Sequence, residues 1–124
     1  MEKEFIPYEQ ALALKQLGFD GECLGHYHNA ELIYHIHTNN EMQRFRYASP
    51  LYQQTFRWFR EKHNLFHEIQ IDRTTEPKFC FDVFQYEHFG NYKEIRIGEW
   101  YLYRTQEEAE LECLKELIEI VKEK

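Results

Sequence analysis

Residues 78–87, Lys-Phe-Cys-Phe-Asp-Val-Phe-Gln-Tyr-Glu, constrain this chain more than any other stretch. Extended, they place Phe79, Phe81 and Val83 on one side and Cys80, Phe84 and Tyr86 on the other. A strand apolar on both faces belongs inside a sheet, so this segment is read as a central strand that needs partners. Candidate partners flank it. Residues 65–72 alternate with Leu65, His67, Ile69 and Ile71 on one face, and residues 93–104 read as extended with a possible bulge at Gly98. Arg73–Pro77 and Phe89-Gly90-Asn91 read as turns.

A second sheet element lies upstream. Cys23–His28 and Leu32–His37 read as a hairpin. Alternation puts Cys23, Gly25 and Tyr27 on one face and Tyr34 and Ile36 on the matching one. The expected register therefore sets Tyr27 opposite Tyr34, Gly25 opposite Ile36 and His26 opposite His35, with the loop within residues 29–32.

Three helices have boundary signals. Pro7 suits a first helical turn, and Gly18 suits the left-handed residue after the last turn, with Phe19 packing back. Ser49-Pro50 matches an N-cap followed by a first helical position, ahead of a stripe of Tyr52, Phe56, Phe59 and His63. Thr105-Gln106-Glu107-Glu108 is a capping box, and Leu111, Leu114, Ile118 and Val121 form the stripe behind it, with Leu117 at its flank. Residues 38–47 are polar and irregular in pattern. The expected fold is α+β: three helices on a largely antiparallel sheet of about five strands, in the order α-β-β-α-β-β-β-α. At 124 residues the chain is expected to form a single domain, 1–124.

Composition narrows the function classes. The formal charge is −7, so sequence-independent binding to a phosphate backbone is disfavoured at long range. Cys23, Cys80 and Cys113 are odd in number and scattered, as for reduced thiols packed like small apolar residues. No run of about 18 apolar residues is present, and Met1-Glu2-Lys3-Glu4 lacks the pattern of a secretion signal. A cytoplasmic protein without a membrane span is expected.

Three stretches together carry a resemblance: residues 5–15 with Leu17-Gly18-Phe19, residues 52–62 (Tyr-Gln-Gln-Thr-Phe-Arg-Trp-Phe-Arg-Glu-Lys), and residues 107–114. They resemble a family of short hypothetical proteins of bacteriophages and prophages, with the match confined to the three helices. The resemblance implies a phage context and a shared fold, and no site. It would place the chain in the host bacterial cytoplasm.

The histidines form the sharpest constellation. His26, His28, His35 and His37 make two His-x-His pairs, and the expected register projects all four from one exposed face. Imidazoles about 5 Å apart across strands can share a Zn²⁺. A polar outer face, or one that titrates with pH, explains the same residues, and no Asp, Glu or Cys interleaves as a fourth ligand. His63 and His67 are spaced i, i+4, but Asn64 is expected to end the helix between them. Arg57, Trp58 and Arg60 are the second constellation. They suit a partner surface or a nucleotide, and equally an amphipathic helix whose arginines cover the core edge. Cys80, in so apolar a strand, reads as inert core. Neither a phosphate-binding glycine loop nor a nucleophile elbow occurs.

These readings favour a non-enzymatic binding protein acting on a host or phage protein or a small ligand. The first alternative is a small metal- or nucleotide-binding protein using the histidine face or the Arg57-Trp58 helix. The second is a small hydrolase. No cofactor is required by any motif, with zinc at the histidines the one candidate.

Overall fold

The computed structural model describes residues 4–28, 30–39, 46–72, 78–86, 92–97 and 103–123. Its elements run α1 (Tyr8–Gln16), β1 (Cys23–His28), β2 (Glu31–His37), β3 (Arg46–Ser49), α2 (Tyr52–His63), β4 (Leu65–Asp72), β5 (Lys78–Tyr86), β6 (Tyr92–Ile97) and α3 (Gln106–Lys122). The fold is α+β with three helices, as expected. The strands form two antiparallel sheets instead of one, ordered β2-β1-β3 and β4-β5-β6. The chain divides into two compact units, Met1–Thr55 and Phe56–Lys124.

The first unit is built on β1. Its N-terminal segment follows the end of β3: Ile6 N–H donates to the Pro50 carbonyl at 3.0 Å, and Phe5 bridges Leu51. Pro7 is the N-cap of α1. At the other end Gly18 takes φ +95°, Gly18 N–H donates to Lys15 O and Phe19 N–H to Leu14 O. This is the Schellman arrangement, and it turns Phe19 into the core. Asn39 ties the unit together: its amide donates to Phe19 O at 2.7 Å and its oxygen accepts from Ala48 N–H at 2.8 Å.

Two expectations fail here. Ser49 does not cap a helix; it is the last residue of β3, and its buried hydroxyl donates to the Ile6 carbonyl at 3.2 Å. The residue before proline is driven toward extended backbone, and pairing with β1 takes advantage of that. The β1–β2 register also differs. Gly25 pairs with Tyr34, His26 with Ile33 and His28 with Glu31, a slide of two residues from the expected alignment. Two residues separate the strands, and Ala30 occupies positive φ (+62°), as a tight hairpin turn requires. A bulge then brings His37 opposite Cys23.

In the second unit β5 is central, as its two apolar faces demand. Its pairing with β4 is unbroken from Leu65↔Gln85 to Asp72↔Lys78. The β5–β6 ladder shifts between Val83 and Phe84, which leaves Ile95 as the extra residue; Gly98 lies outside the described residues. Helix α3 packs on β5 and β4. The Thr105 hydroxyl caps it by accepting from Glu108 N–H at 3.1 Å, while the Glu108 carboxylate reaches back to Arg104 N–H. The buried face of α3 is Ala109, Cys113, Leu114, Leu117, Ile118 and Ile120. It centres on Leu117, so the expected stripe is rotated: Leu111 and Val121 are only half-buried, and the small Cys113 and Ala109 point inward.

Candidate functional site

Helix α2 is apolar inward and cationic outward. Phe59 is 0% exposed and Phe56 2%. Thr55 is buried and donates its hydroxyl to Leu51 O one turn back. Tyr52 and His63 are half-buried on the same side, which leaves Arg57 on the outer face. The Arg57 side chain is 69% exposed and its Nε donates to Glu61 Oε1 at 2.8 Å; that bond holds the guanidinium above its usual pKa. Trp58 and Arg60 are half-buried. The Trp58 ring stands edge-on to Phe59 (5.0 Å) and to His63 (4.9 Å), which fixes the indole against the helix. Arg57 thus stands on the outer face, and Trp58 and Arg60 lie at the two edges of the buried stripe.

Asn64 ends α2 at φ +55°, and its N–H still donates to Arg60 O. Its carbonyl accepts from Tyr86 N–H, and Gln85 Nε2 reaches His63 O at 3.4 Å, so the helix end is fastened to the end of β5. His63 and His67 therefore stand on different elements. The His67 ring stacks on Phe56 at 3.8 Å between centroids and 18° between planes. Burial, with the nearby Arg60 charge second, lowers its pKa to about 4, so the imidazole is neutral at pH 7.

Directly opposed residues share a sheet face. Leu65, His67, Ile69, Phe81, Val83 and Gln85 occupy one face of the β4–β5 ladder; Phe66, Glu68, Gln70, Cys80, Asp82 and Phe84 occupy the other. On this second face Gln70 links two buried groups, donating to Asp82 Oδ2 at 2.9 Å and accepting from Cys80 Sγ at 3.7 Å. Beyond that relay the face opens into a groove of about 350 Å³, lined by Phe66, Glu68 and Phe84 together with His67, which lies between Phe66 and Glu68 in the strand and whose ring stacks on Phe56. Phe66 also lies 6.5 Å from the ring of Tyr86, which is 39% exposed. The strand alternation carried these residues, but nothing in the sequence marked where the covering of that face stops.

The histidine expectation needs correction. His26 is 2% exposed and lies beside Ile33 and the buried Ala48, not opposite His35. The expected exposure of His26 and its pairing with His35 are therefore both overturned. His28 is half-buried, and the side chains of His35 and His37 lie outside the described residues. Among the described residues no three His, Cys, Asp or Glu side chains gather as metal ligands.

The three cysteines are buried and in no disulfide. Burial pushes Cys23 up to about 12 and Cys113 further, the latter helped by Glu110, Glu116 and Asp82. Such thiols stay protonated and are poor nucleophiles. Among the described residues no helix is long and apolar enough to cross a membrane. No family model, curated protein or solved structure matches the chain.

Proposed function

We propose that this chain is a non-enzymatic binding protein of the phage type, acting in the host bacterial cytoplasm on a host or phage protein through the outer face of α2. The observation that carries the reading is the split of α2. Phe56 and Phe59 are spent on the core, while Arg57 is exposed and Trp58 and Arg60 are half-buried on its two flanks, on a helix fixed at its C-terminal end. A rigid helix bearing Arg and Trp at its margin is the kind of surface in which a few side chains dominate affinity. The Glu61 partner of Arg57 holds the guanidinium in place, which lowers the ordering cost on binding. The buried, protonated thiols and the neutral, stacked His67 support binding over nucleophilic chemistry.

The test is capture from phage-infected bacterial extract with tagged wild-type chain and a Trp58→Ala, Arg60→Ala double variant of equal fold by circular dichroism. The proposal expects a protein retained by the wild type and lost by the variant. Identical retention by both would remove α2 as the surface.

A further inference from the structure

The groove on β4 and β5 is separate from the outer face of α2 in both its residues and its chemistry. Its walls are two phenylalanines that face each other across the ladder, Phe66 and Phe84. The exposed ring of Tyr86 extends them. Its polar group is the exposed carboxylate of Glu68. No Lys or Arg is among the described lining residues, and His67 contributes no charge at pH 7.

We infer that this groove binds a small organic cation with an apolar body, its ammonium or amidinium group set against Glu68 and its body against Phe66 and Phe84. Three features select that class. A volume of about 350 Å³ suits a small molecule. Aromatic faces attract cations through their quadrupole, and Glu68 adds a full negative charge at the same place. The net charge of −7 draws cations in and turns anions away at long range. An anion of the same shape would meet Glu68 with no compensating cation among the described lining residues, and a neutral one would leave that carboxylate without a counter-charge. Asp82, directly opposite Glu68, is already bonded to Gln70, so Glu68 is the residue available for the ligand.

The probes are benzylamine, benzyl alcohol and benzoate, added to the full chain and followed by NMR at the ring signals of Phe66 and Phe84. Benzylamine should shift those signals and bind most tightly, benzyl alcohol less, and benzoate least. Glu68→Gln, at an exposed position that leaves the fold intact, should weaken benzylamine by roughly threefold and leave benzyl alcohol unchanged. Trp58→Ala should alter none of the three. Equal binding of benzylamine and benzoate, benzylamine affinity unmoved by Glu68→Gln, or shifts confined to other rings would overturn the inference.

Discussion

His67 should make this protein lose stability on mild acidification. In the folded chain its imidazole lies against Phe56 with 3.8 Å between ring centroids, and burial lowers its pKa to about 4. Unfolded, it returns to about 6.5. Between those values the unfolded chain binds a proton that the folded chain refuses, so stability is fully present above pH 6.5 and falls as pH drops toward 4. A difference of that size corresponds to roughly 3 kcal/mol by pH 4. The matched variant is His67→Phe, which keeps a ring against Phe56 and removes the titration. Urea denaturation at pH 7.5, 6.5, 5.5 and 4.5 then isolates the histidine, because carboxylates titrate alike in both proteins. The gap between wild type and variant should widen steadily below pH 6.5, to the disadvantage of the wild type. Parallel stability curves, or an NMR titration of His67 near pH 6.5, would refute the burial argument.

Other expected outcomes follow from the same packing. Leu117→Ala removes the centre of the buried face of α3 and should cost about 2–4 kcal/mol in denaturation, whereas Leu111→Ala should cost much less, because that side chain is only half-buried. Thr105→Ala should cost about 1 kcal/mol through the lost cap. Gly18→Ala should cost about 1–2 kcal/mol from backbone conformation alone, since a Cβ there meets nothing within 4 Å. Thiol titration should find all of Cys23, Cys80 and Cys113 under denaturing, non-reducing conditions, and slow reaction in the native protein.

The sequence was most legible where the determining signals are local. Gly18 at φ +95°, the Thr105 cap and the helix stop at Asn64 each depend on residues within a few positions, and each was read correctly. The central place of β5 was also legible, because burial on two faces is written in its own alternation. What failed depends on partners. β3 is four residues long and gains its identity from β1, so Arg46–Ser49 looked like a polar connection followed by a helix cap. Alternation fixed which hairpin residues share a face, but a register two residues away obeys the same parity. Ala30 at positive φ decides between them without the glycine that marks such turns. The slide keeps His26 on the face that parity assigns it and changes its neighbour from His35 to Ile33; β3 adds Ala48 on its other side, and the imidazole is buried where the sequence suggests solvent. The aromatic groove is not written in the sequence, because Phe66 and Phe84 become neighbours only through the β4–β5 register.

The most direct measurement is the affinity of the captured protein partner for single variants on α2, by calorimetry, beside each variant's thermal stability. Arg57→Ala and Arg60→Ala should each weaken binding by about fivefold or more while leaving the melting temperature close to wild type. Leu117→Ala should do the reverse, lowering the melting temperature with affinity unchanged in conditions where it remains folded. If the arginine variants bind as tightly as wild type, or lose stability in proportion to binding, then the outer face of α2 is a structural margin and the proposed function is wrong.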